Sequence, residues 1–68
     1  MLLKINGEQY DGRDEMTVAQ LLEDLDIKSQ RVAVELNLDI LPKDQYDARR
    51  LSEGDELEIV NFVGGGIS

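Results

Sequence analysis

One stretch of this chain carries helical periodicity, and the apolar residues around it alternate instead. Val18, Leu21, Leu22 and Leu25 stand at i, i+3, i+4 and i+7 and form a single apolar stripe. Thr17-Val18-Ala19-Gln20 fits a capping box, in which the hydroxyl accepts from a free backbone N–H and Gln20 reaches back. The pattern predicts a helix that starts after Thr17 and ends near Asp26, with Gln20, Glu23 and Asp24 toward water and Ile27 tucked beneath its end. One helix can cover one face of one sheet. The second face is then left to water or to a partner.

The remaining segments read as short strands. Leu2 to Asn6 places Leu3 and Ile5 on one face by the two-residue period. Asn6-Gly7 is a hairpin signal, because both residues tolerate positive φ, and a return strand from Glu8 to about Asp11 follows. Gly12-Arg13-Asp14 reads as a loop and Lys28-Ser29-Gln30 as a connector. Val32 to Leu36 is the clearest strand, with Val32, Val34 and Leu36 sharing a face. Asn37-Leu38-Asp39 reads as a tight turn and Ile40-Leu41 as a short strand that Pro42 closes or pushes to an edge. Lys43 to Arg50 is polar around Tyr46, with room for a helical turn, and Leu51 reads as a core plug before a turn at Glu53-Gly54-Asp55. The last strand runs from Glu56 to Val63, with Leu57 and Ile59 on one face and Val60 and Phe62 on the other. The order β-β-α-β-β-(turn)-β lacks the βαβα alternation of a doubly wound fold. It predicts an α+β domain of about five short strands packed on one helix.

Composition narrows the function. The 68 residues include no cysteine, histidine or tryptophan. Disulfides, thiolate chemistry and Ser-His-Asp or Cys-His catalysis are thereby excluded, as are zinc fingers and most transition-metal sites. Fifteen acidic against seven basic side chains give a net charge of −8, which disfavours binding to nucleic acid. A chain of this length folds to a radius of gyration of roughly 11 Å, too small for a large internal pocket. A binding or carrier module is therefore expected rather than an enzyme acting alone. No apolar run approaches the ~20 residues of a transmembrane helix. The first residues show no signal-peptide pattern, and the expected location is the cytoplasm.

Gly64-Gly65-Gly66 after the last strand is the most informative motif. Three glycines pack no core and cost backbone entropy to order. On the residues alone two readings stand: a frayed C-terminus, or a thin tail that threads a narrow channel to present its end to another protein's active site. Residues 64–68 reach roughly 17 Å when extended. No dinucleotide fingerprint or P-loop is present. The acidic runs at Asp11, Asp14 and Glu15, at Glu23, Asp24 and Asp26, and at Glu53 to Glu58 read as a solvated surface that can also steer a basic partner. A calcium loop fits poorly, since the glycine after Asp11 comes at position 2 and an EF-hand wants it at position 6. Phe62 and Val60 are candidate anchors for a partner on the open face. The other reading of Phe62 is burial by strong twisting of the short sheet. Tyr10 and Tyr46 read as packing residues with a wet hydroxyl.

These pieces together resemble the ThiS family of sulfur carriers in thiamine biosynthesis, within the β-grasp, ubiquitin-like group. The residues that carry the resemblance are the opening strand with Asn6-Gly7, Thr17-Val18 with Leu21-Leu22, and Val32-Ala33-Val34-Glu35 with Asn37. Ile40 with Pro42, Gly54-Asp55 before Leu57-Glu58-Ile59, and Phe62-Val63-Gly64-Gly65-Gly66 complete it. The resemblance implies a β-grasp domain over residues 1–63, a mixed sheet around one helix, and a flexible glycine tail over residues 64–68. It implies that Gly66 bears the sulfur as a thiocarboxylate and that Gly64 and Gly65 thread the channel. The implied partners are a ubiquitin-activating-type adenylating enzyme, which uses the ATP, and thiazole synthase. The carrier itself binds no cofactor.

The chain departs from the family's active forms at Ile67-Ser68, which follow the glycines. An amidated Gly66 has no carboxylate to adenylate. The expectation is that a processing metalloprotease removes the two residues. A carrier for another pathway (molybdopterin or cysteine) and a ubiquitin-like binding module without tail chemistry are the alternatives.

Overall fold

The computed structural model describes residues 1–61. Strands β1 (Leu2–Ile5) and β2 (Glu8–Asp11) form an antiparallel hairpin, followed by helix α1 (Val18–Asp24). Strands β3 (Val32–Leu36) and β4 (Asp39–Leu41) form a second antiparallel hairpin, and β5 (Glu56–Asn61) comes last. Short 3₁₀ turns at Ser29–Arg31 and Lys43–Gln45 fill the connections. The five strands make one sheet in the order β2-β1-β5-β3-β4. The last strand therefore lies at the centre, parallel to β1 and antiparallel to β3. This is the mixed sheet with a single helix expected of a β-grasp domain.

The helix begins as its residues dictate. The Thr17 hydroxyl accepts from the Gln20 N–H at 3.1 Å, and the Gln20 amide oxygen accepts from the Thr17 N–H at 2.9 Å. The helix ends sooner than the expected Asp26, at Asp24 with Leu25 as cap. Asp26 takes φ 60°, and the Asp26 and Ile27 N–H groups donate to the carbonyls of Glu23 and Leu22 at 3.0 and 2.8 Å. That bond pattern is a Schellman stop, usually built on glycine. It folds Ile27 back against the core, as its apolar character suggests.

Val18, Leu21 and Leu22 of the helix are fully buried against Leu3, Val32, Val34, Leu36 and Leu57 of the sheet. Met16, Tyr46 and Leu51 close the ends of this core. Met16 fits no periodic pattern, yet it is as buried as the helix stripe. It packs where Gly12 brings the backbone close, since a Cβ on Gly12 would sit 3.0 Å from both Leu3 Cδ1 and Met16 Sδ. Leu57 is buried, Ile59 half-buried and Val60 exposed, so the alternation read for the last strand holds through Val60.

Both hairpin turns have two consecutive residues at positive φ, the pattern of a type I′ turn: Asn6 (51°) with Gly7 (86°), and Asn37 (53°) with Leu38 (74°). The second turn is one residue shorter than expected, because Asp39 already pairs with Leu36 as part of β4.

Candidate docking face and the root of the tail

Register and burial together define the face of the sheet turned away from the helix. It carries Leu2 and Lys4 from β1, Ala33 and Glu35 from β3, Ile40 from β4, and Glu56, Glu58 and Val60 from β5. Val60, the predicted docking residue, is 54% exposed and stands directly opposite Ala33. Ile40, which the sequence did not single out, is 75% exposed beside Glu35. The signal for Ile40 was present in the alternation of its strand, but it needed the pairing with Glu35 to tell which side faced water. Phe62, the other predicted docking residue, lies outside the described residues, as do Gly64, Gly65 and Gly66. So does the expected domain boundary after Val63.

The charge on this face is uneven. Glu35 and Glu58 are directly opposed across β3 and β5, an arrangement that costs a few tenths of a kcal/mol to about 1 kcal/mol. Lys4 stands opposite Glu56 in the parallel register. The described salt bridges lie elsewhere: Arg13 with Asp24 at 3.1 Å, Arg50 with Glu15 at 3.2 Å, and the N-terminal ammonium with Asp11 and Asp14. The open face thus presents apolar side chains among carboxylates, a surface suited to a partner that is apolar and basic.

Two asparagines hold the central strand in place. The Asn37 side chain accepts from the Glu56 N–H and donates to the Asp55 carboxylate, both at 3.0 Å, which fixes the start of β5. Asn6 makes the matching pair of bonds to Ile59 near its end. The strand that leads into residues 62–68 is therefore gripped at both ends by the turns of the two hairpins. Sequence reasoning assigned Asn6 to its turn by tolerance of positive φ and Asn37 to its turn by bonding to its own backbone, and missed the bonds that both amides make to β5.

Among the described residues no group of His, Cys, Asp or Glu is arranged to hold a metal ion. An open groove of about 480 Å³ lies on the helix side, with Ile5, Tyr10, Leu25, Ile27 and Ile59 among its lining. It offers no cluster of titratable groups for acid–base work. Tyr46 is a buried core residue with a shifted pKa. Burial pushes its phenol above the usual value, and the backbone of Val34 acts in the opposite sense. No helix of the described residues is long and apolar enough to cross a membrane.

Comparison with known proteins agrees with this architecture. The model of the ThiS family matches residues 3–66. The sulfur carrier protein ThiS of Bacillus subtilis is 36% identical over 66 residues, covering 96% of this chain and all of that protein. A thiazole synthase of Paramagnetospirillum magneticum is 50% identical over 66 residues, which are 97% of this chain but only 20% of that protein. The chain thus spans about a fifth of the length of that relative. The crystal structure of the thiamine biosynthesis protein ThiS from Geobacter metallireducens superposes with a TM-score of 0.81 at 36% identity, covering 97% of this chain and 100% of the other. With a matching fold, matching length and a family match that runs through the glycines, the chain belongs to the ThiS family.

Proposed function

We propose that this chain is a sulfur carrier of thiamine biosynthesis, acted on by partner enzymes rather than catalytic itself. The observation that carries the reading is the family match, which runs from Leu3 through Gly66 and leaves Ile67 and Ser68 beyond its C-terminal end. Removal of those two residues by a metalloprotease frees the Gly66 carboxylate. A ubiquitin-activating-type enzyme then joins that carboxylate to AMP, with pyrophosphate leaving from ATP. A sulfur donor displaces AMP as the acyl C–O bond breaks and a C–S bond forms, giving the thiocarboxylate. The activation is needed because a carboxylate is a poor electrophile until it has a good leaving group. A glycine at the acyl position puts no side chain in the path of attack, and Gly64 and Gly65 keep the approach equally thin. The absence of His and Cys agrees with chemistry supplied by the partner.

Thiazole synthase is the proposed recipient of the sulfur. Two thiazole synthases, from Paramagnetospirillum magneticum and Magnetococcus marinus, contain a region similar to nearly the whole of this chain within a protein about five times as long. A carrier-like region inside such an enzyme fits a functional pairing of the two. The proposed site of action is the cytoplasm, where the partners' ATP and thiols are available.

Intact mass spectrometry of the protein isolated from its own host tests the reading. The expected mass lacks Ile67 and Ser68 and has one oxygen replaced by sulfur. A full-length, unmodified mass in cells starved of thiamine would instead support a binding module without tail chemistry.

A further inference from the structure

We propose that Leu38 is a partner-contact residue and that the hollow beside it receives an arginine side chain from the adenylating partner. The inference rests on the carrier reading above and deepens it. The two type I′ turns of this molecule make an internal comparison. Each opens with an asparagine whose amide grips β5, and each then needs a second residue at positive φ. The first turn uses Gly7, the residue that pays no steric penalty there. The second uses Leu38 at φ 74°, where a bulky side chain is strained. Leu38 is 88% exposed, so its side chain gains almost no burial within the domain to offset that strain. A strained backbone that holds an apolar side chain out in water points to a use outside the isolated fold.

The surroundings of Leu38 define what would fit. Between the two hairpin tips lies a hollow of about 180 Å³ lined by Lys4, Gly7, Leu38, Glu56, Leu57 and Glu58. Leu38 supplies an apolar wall. Gly7 leaves the opposite side open, with nothing within 4 Å of where a Cβ would stand. Two carboxylates meet one ammonium in this hollow, and neither Glu56 nor Glu58 makes a salt bridge among the described residues. An apolar wall beside unpaired carboxylates matches arginine, whose methylene stem packs on leucine while its planar guanidinium donates to more than one carboxylate oxygen. Ile40, at 75% exposure on the adjoining open face, extends the apolar contact beyond the hollow.

The test titrates the full chain calorimetrically into the adenylating enzyme of the same host and follows thermal unfolding in parallel. Leu38→Gly is expected to melt higher than the parent, because glycine relieves the positive φ, and yet to bind roughly tenfold more weakly, as loss of a hot-spot side chain does. Leu38→Asn, which also tolerates this conformation, is expected to bind as weakly. Leu38→Met, which restores an apolar side chain, is expected to return the affinity to within about twofold of the parent. Glu58→Gln is expected to weaken binding and to flatten its salt dependence. Parent-like affinity in both Leu38→Gly and Leu38→Asn would overturn the inference while leaving the carrier reading intact. A parent chain that fails to bind the enzyme at all would remove the carrier reading and this inference together.

Discussion

The side-chain amide of Asn6 makes two hydrogen bonds with the backbone of Ile59, accepting from its N–H at 2.8 Å and donating to its carbonyl at 3.2 Å. The Asn6 backbone N–H also donates to Leu57 O at 2.9 Å. The amide thus continues the parallel ladder between β1 and β5 after the chain itself has turned away at φ 51°. Asn6→Gly keeps the turn and removes only the amide. It should destabilise the domain by about 1–2 kcal/mol, read as a lower urea midpoint with an unchanged slope. Asn6→Ala should cost more, because alanine also bears the positive φ. Equal stability of Asn6→Gly and the parent would mean that water replaces the clamp without loss.

Asp26 offers the opposite experiment. It holds the left-handed position of the helix stop at φ 60°, and its carboxylate stands at the negative end of the helix dipole. Both effects oppose an aspartate. Asp26→Gly should therefore stabilise the domain by about 0.5–1 kcal/mol. For a domain of this size that is a rise of several degrees in Tm. A drop in Tm would show that the Asp26 side chain makes a contact worth more than the strain that it bears.

The parts of this fold that were legible are the local ones. The capping box, the helix stripe and the two hairpins are each written within a few neighbouring residues, and each formed where it was read, the second hairpin with a turn one residue shorter. The sheet order was not legible, because placing β5 between β1 and β3 depends on pairings such as Asn6 with Ile59, 53 residues apart. Met16 escaped notice because a residue between elements has no periodicity to reveal burial. Leu38 escaped because a turn residue belongs to neither face of a strand, so alternation says nothing of its exposure. The glycine tail was read from composition and family resemblance, and that reading falls on residues 62–68, outside the described residues.

Tyr46 makes the stability depend on alkaline pH. Burial raises its phenol above the ordinary value of 10.0. In the window between the two values the unfolded chain has lost a proton that the folded chain keeps, so stability falls as pH rises through and beyond about 10. At neutral pH the group is protonated in both states and contributes no slope. Tyr46→Phe keeps the ring and should cost about 1 kcal/mol or less near pH 7. Its stability should then decline less steeply than the parent's above pH 10, measured as urea midpoints across the alkaline range. Parallel profiles would mean that the Tyr46 hydroxyl reaches water in the folded chain.

Val60 separates docking from folding. Its side chain is half-exposed on the face turned from the helix, so Val60→Ala should change stability by no more than about 0.5 kcal/mol. Ala33 opposite it and Ile40 nearby mark the same apolar strip, which the carboxylates of Glu35 and Glu58 border. If this strip docks the adenylating enzyme, Val60→Ala should raise the dissociation rate, while the association rate stays near the parent's. Val60→Asp should bind more weakly still, because it buries a charge in the centre of the contact. Association of the parent should slow as salt increases, since the chain carries a net charge of −8 and the steering is electrostatic. Stopped-flow association at two ionic strengths, with dissociation followed by competition, distinguishes the two effects. A Val60→Asp variant that folds normally and dissociates at the parent's rate would place the contact elsewhere on the domain.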